Sequence, residues 1–208
     1  MMKGLFSRHT RVLSVVIAGL GMFILSGGTA QAGIINTDAC DNAVLTQPFA
    51  PWGDSSQYKL VPGGSFESGT ASWSLSHGAK IVGGSEPFGA TGSVGSASLD
   101  LPAGASAQSP FTCVDAAYPT FRFFGRNNSL LSTMLVQVVY REPLLGNVVV
   151  PVGVVALSGR WAPSLPMLTA STVTGLLSGG TTQVALRFTE LTGTSQIDDA
   201  FVDPRMRN

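Results

Sequence analysis

The chain has 208 residues; 12% are charged, 44% are hydrophobic, and there are 25 glycines and 12 prolines. That much apolar material closes a core, which excludes a disordered chain, and so few charges exclude a coiled coil or a helical bundle. Twelve basic and twelve acidic residues cancel, and without a basic run electrostatic capture of nucleic acid is not expected.

The first segment, 1–32, reads as a secretory signal peptide. Lys3, Arg8 and Arg11 form its basic start, Val12 to Leu25 its apolar run, and Ala30-Gln31-Ala32 its small-x-small cleavage site. An apolar run of about fourteen residues spans roughly 21 Å as a helix, short of a hydrocarbon core of about 30 Å. Export with cleavage is therefore expected, giving a secreted, extracellular protein with no membrane span after cleavage. Losing three basic residues leaves the mature chain weakly acidic.

Residues 33–57 read as a looser leader. Cys40 lies in it and Cys113 lies further on, and they are the only two cysteines. An even count in an oxidising compartment favours a disulfide, which stabilises by roughly 4 kcal/mol for a loop of this length. With His77 the one histidine beyond the signal segment, a zinc site has too few soft ligands.

Residues 58–208 carry period-two apolar alternation. About nine strands are expected, near 58–61, 72–76, 79–83, 97–101, 106–109, 119–125, 133–141, 147–157 and 182–190, with a last one at 195–203. Met134, Val136, Val138 and Tyr140 share one face; Val184, Leu186 and Phe188 pack while Gln183, Ala185, Arg187 and Thr189 alternate with them. Pro151 and Gly153 mark a bulged or edge strand. Turn signals such as Pro62-Gly63-Gly64, Gly83-Gly84 and Gly146-Asn147 punctuate the runs. The expected class is all-β, an antiparallel β-sandwich or jelly roll in one domain behind a signal peptide.

Two motifs bracket this region: Pro62-Gly63-Gly64-Ser65-Phe66-Glu67-Ser68-Gly69, followed by Trp73, and Ile197-Asp198-Asp199-Ala200-Phe201-Val202-Asp203. The pair resembles the opening and closing motifs of galactose-binding-like jelly rolls, most closely the secreted carbohydrate-binding modules of the cellulose- and xylan-binding type. The resemblance covers roughly 60–203. It implies a structural calcium where the first and last strands meet, held by Glu67 and by Asp198 or Asp199 with backbone carbonyls; calcium takes six to eight oxygen ligands. The plain alternative is a solvated strand end, or pairing of Asp198 and Asp199 with Arg205 or Arg207.

Sugar recognition needs flat aromatic faces and planar polar groups. The candidates are Trp52, Tyr58, Tyr118 and Trp161. Each also has a structural reading: Tyr58 starts the first strand, Trp161 packs on a sheet, and Trp52 is either a cap over the sandwich or an exposed platform. Trp73 resembles the family's core tryptophan. No nucleophile elbow or zincin motif is present. Glu67, Glu86, Glu142 and Glu190 form no evident catalytic pair, Glu86 and Glu190 reading as strand-end positions, so no catalytic residue is assigned. The leading expectation is a non-catalytic module that binds polysaccharide or cell-envelope glycan. The alternative is an exported structural or protein-interaction domain with no sugar site.

Overall fold

The computed structural model describes residues 44–69, 72–115, 120–142, 145–169 and 181–203. The expected signal peptide, Cys40, Tyr118, Arg205 and Arg207 lie outside them. Among the described residues there is no α-helix, and no helix is long and apolar enough to cross a membrane.

Among the described residues, thirteen strands form two antiparallel sheets. They are β1 (Lys59–Leu60), β2 (Ser74–Ser76), β3 (Lys80–Gly83), β4 (Ala97–Pro102), β5 (Ser106–Gln108), β6 (Thr112–Asp115), β7 (Thr120–Asn127), β8 (Thr133–Glu142), β9 (Gly146–Val155), β10 (Ala162–Pro163), β11 (Met167–Leu168), β12 (Thr181–Thr192) and β13 (Thr194–Asp203). The first sheet runs β10-β7-β13-β4-β3, with β1 also on β13 and β11 also on β7. The second runs β2-β5-β12-β8-β9, with β6 also on β12. All ten expected strands are present; β6, β10 and β11 were not foreseen, being two to four residues long and too short to show a period.

The main core lies between the sheets. Met134, Val136, Val138 and Tyr140 of β8 and Val184, Leu186 and Phe188 of β12 point into it, as their alternation requires. Phe121 and Phe123 of β7 and Leu99 and Leu101 of β4 face them from the other sheet. Trp73 is buried there, its indole N–H donating to the Pro62 carbonyl at 3.0 Å.

The outer face of the first sheet is not left to water. Phe124 of β7 and Phe201 of β13 point outward, yet both are buried, under Phe49 and Tyr58 of the N-terminal segment. Phe49 stacks on Phe124 at 5.3 Å and meets Tyr58 edge-on at 5.0 Å. Burying an aromatic side chain of this size stabilises by about 2–3 kcal/mol. Residues 44–58 thus form a second, smaller core over β7 and β13.

Candidate functional site

The opening and closing motifs meet. The Val61 N–H donates to the Ala200 carbonyl at 2.9 Å, and the Ala200 N–H to the Gly64 carbonyl at 3.1 Å. A Cβ at Gly64 would come within 2.8 Å of the Ala200 carbonyl oxygen, so glycine is required for this approach. Phe66 and Asp199 both adopt positive φ, 59° and 44°, unusual for residues with side chains. The register of β13 against β7 shifts between Asp198 and Phe201, a bulge that re-aims side chains at this point.

Four carboxylates gather at this junction. Glu67 accepts hydrogen bonds from the Ser96 N–H, the Ser96 hydroxyl and the Ala97 N–H at 2.7, 2.7 and 2.9 Å. These bonds, led by the Ser96 hydroxyl, lower its pKa. A Cβ at Gly95 would collide with this carboxylate and with the Ser85 hydroxyl, so glycine lets that strand entry close on Glu67. Asp198 accepts from the Ser85 hydroxyl at 2.7 Å and the Glu86 N–H at 3.0 Å. Burial pushes Asp198 up to about 6, the Glu86 charge adding to it. Burial, then the charges of Asp198, Glu86 and Glu67, push Asp199 up as well. Among the described residues, no basic side chain is a cause of either shift.

The donors here are oxygens, which suits a hard cation such as calcium. No three His, Cys, Asp or Glu residues are placed to hold one ion among the described residues. A cation here would therefore take at most two carboxylates at once and complete its shell with backbone carbonyls and water.

Glu86 is the member of this cluster that sequence reasoning passed over. Its carboxylate is fully buried and accepts from the Phe88 N–H and, at 2.8 Å, from the Ala90 N–H. It thereby holds the turn that presents Phe88, a half-exposed ring. The Glu86-Pro87-Phe88-Gly89 sequence, an aromatic between turn residues, is the signal that was available.

A second network holds the neighbouring loop. Arg122, on the outer face of β7, donates to the Ser164 carbonyl at 2.8 and 2.6 Å and to the Asp54 carboxylate at 3.0 Å. Its guanidinium lies 4.2 Å from the Phe49 ring centroid. The Tyr58 hydroxyl donates to the same Asp54 oxygen at 2.7 Å. Burial alone would raise the Asp54 pKa; the hydrogen bonds from Tyr58, Ser56 and Arg122 outweigh it and hold it near 2, at about 2. The short 3-10 helix Ala50–Trp52 sits on this frame.

The two networks bring Trp52 and Phe88 together. Trp52 is 39% exposed and Phe88 47%. Their rings meet edge-on, centroids 4.9 Å apart and planes at 83°, and both rest on Phe124. They wall a groove of about 500 Å³ completed by Thr46, Gln47, Pro51 and the 89–92 turn. Gln47 donates to the Ser55 carbonyl at 2.6 Å, which orients its amide. A second, larger cleft of about 720 Å³ opens between β9 and the 156–168 segment, lined by Val154, Leu157, Leu165, Met167 and other apolar residues. Among the described residues, neither lining includes a titratable side chain.

The remaining candidates take structural positions. Tyr58 is fully buried in the second core. Trp161 packs half-buried against that core beneath Arg126, 5.1 Å from the ring centroid. Tyr118 lies outside the described residues. His77 is exposed in the turn after β2, at φ 52°. Asn127, in a glycosylation-like triplet, donates its side-chain amide to the Leu157 carbonyl at 2.9 Å and is structural. Cys113 is not a free cysteine; Cys40, its expected partner, lies outside the described residues. Glu190 is fully buried on β12, neither carboxylate oxygen having a hydrogen-bond partner. Burial raises its pKa to about 7.

No protein-family profile matches the chain, and no curated protein does. Solved structures do match. The CBM22-1-GH10 modules of the Clostridium thermocellum xylanase 10B, complexed with xylohexaose, match with a TM-score of 0.51 and 13% identity. That match covers 69% of this chain and 28% of the other. The CBM22-1 xylan-binding domain of Paenibacillus barcinonensis Xyn10C matches at a TM-score of 0.48 and 14% identity, over 69% of this chain and 93% of that one. A CBM61 module in complex with β-1,4-galactotriose gives 0.43 and 14%, over 70% and 98%. The chain spans 28% of the first of these proteins and 43% of another match, the CBM22-1-CBM22-2 tandem domain of Paenibacillus barcinonensis Xyn10C. The fold is the jelly-roll β-sandwich of carbohydrate-binding modules.

Proposed function

Starting from that fold, we propose that this protein is an exported, non-catalytic module that binds polysaccharide or cell-envelope glycan in the Trp52–Phe88 groove. One observation carries the reading: two half-exposed rings, each buttressed from below, wall a groove whose polar lining is hydroxyl and amide. Sugars present apolar C–H faces and hydroxyl edges, and such a lining answers both. The described lining of either cleft offers no acid or base that could serve hydrolysis as proton donor. A structural calcium at the Glu67, Asp198 and Asp199 junction, taking at most two of these carboxylates together with backbone carbonyls and water, is proposed as well, and so is a Cys113–Cys40 disulfide. Export, and with it an extracellular location, rests on the reading of segment 1–32.

The test is a glycan array together with pull-down on insoluble polysaccharides, wild type against Trp52→Ala. Binding that the substitution abolishes supports the proposal, and blanks in both formats defeat it. The uncharged, apolar cleft beside β9 favours a second reading, an exported protein-interaction domain.

A further inference from the structure

The angle between the two rings narrows the class of glycan. A flat crystalline polysaccharide surface needs several coplanar aromatic faces in a row. Trp52 and Phe88 stand at 83° with centroids 4.9 Å apart. They form a corner, in which a pyranose stacked on one ring has its edge against the other. Trp161 does not extend a platform: it is half-buried against the second core, and the Arg126 guanidinium lies over its ring, 5.1 Å from the centroid. The groove is about 500 Å³, in the lower part of the range for small-ligand sites. Its lining among the described residues holds no charged side chain, so none of them would pair with a uronate or sulfate group.

We infer that the groove takes a short stretch of neutral glycan, one stacked sugar and its immediate neighbours, rather than a crystalline surface or an acidic polymer. This rests on the glycan-binding reading above. The Trp52 loop lies in the N-terminal segment, so the recognising ring is supplied from outside the part of the chain that resembles carbohydrate-binding modules.

The experiment is calorimetric titration with neutral β-1,4-linked oligosaccharides, from disaccharide to hexasaccharide, alongside a polyuronate and a microcrystalline polysaccharide. Affinity should level off by the trisaccharide, with less than about a twofold gain beyond it. Trp52→Ala should weaken binding by about tenfold or more, and Trp52→Phe, which keeps a ring, should retain part of it. Circular dichroism of both variants separates lost binding from lost folding. Affinity that keeps rising to the hexasaccharide, adsorption to the crystalline polymer, or preference for the polyuronate overturns the inference and leaves glycan binding standing. Silence with every carbohydrate overturns both.

Discussion

The carboxylate of Glu86 accepts hydrogen bonds from the backbone N–H groups of Phe88 and Ala90, so a fully buried acid aims a half-exposed ring. The Glu86 N–H in turn donates to Asp198 at 3.0 Å. The closing motif of the sandwich therefore reaches the groove through one residue.

Replacing Glu86 by Ala strands two N–H groups of that turn, a loss of about 1–3 kcal/mol for each left unsatisfied. The expected result is a lower melting temperature together with weakened glycan binding. Glu86→Gln, which keeps one acceptor oxygen, should fall between. Unchanged binding by a folded Glu86→Ala protein would separate the turn from the groove.

Arg122 joins Asp54, Ser164 and Phe49 in a setting where its side chain is 5% exposed and that of Asp54 11%. Arg122→Met leaves Asp54 without its ion-pair partner and should destabilise by about 3 kcal/mol in a denaturant titration. The Asp54 pKa is depressed from 3.8 to about 2 in the folded state. Its contribution, about 2 kcal/mol, is thus present above pH 4 and is lost as pH falls through 2. Asp54→Asn should flatten that acid limb; an unaltered limb would place the acid sensitivity elsewhere.

Glu190 gives the opposite slope. Its folded pKa is raised from 4.5 to about 7, so the folded state holds the proton more tightly. Its contribution is complete below pH 4.5 and is lost as pH rises through 7, up to about 3 kcal/mol. Denaturant midpoints from pH 5 to 8.5 should decline in the wild type and decline less in Glu190→Gln. Parallel declines in the two proteins would exonerate Glu190.

Calcium added to chelator-treated protein should raise the melting temperature, and Asp199→Asn should remove most of the gain. Because Glu86 links this junction to Phe88, chelation should also weaken glycan binding. A melting temperature indifferent to both chelator and calcium removes the proposed cation.

For the cysteines, thiol titration of the unfolded protein should find none before reduction and two after it. Equal counts in both states would show that Cys40 and Cys113 are not bridged.

Much of the sandwich is legible in short windows of sequence. The alternation in Met134 to Tyr140 and in Val184 to Phe188 is local, because a strand puts every second side chain on one face. The bracketing motifs were legible too, and the contact of Gly64 with Ala200 brings them together. The site was only partly so. Trp52 could be named, but whether it capped the sandwich or stood open could not, and Glu86 read as an ordinary strand-end residue.

Residue order alone therefore determined the all-β class and the inward faces of β8 and β12, while the meeting of opening and closing motifs was implied only by the family resemblance. Tertiary structure decided that the outward faces of Phe124 and Phe201 are buried, that Tyr58 is core, and that Trp52 meets Phe88 at a corner. The reason is separation along the chain. Positions 52, 88 and 124 lie on three different segments, and their exposure depends on which of them covers the others, a relationship no local period encodes.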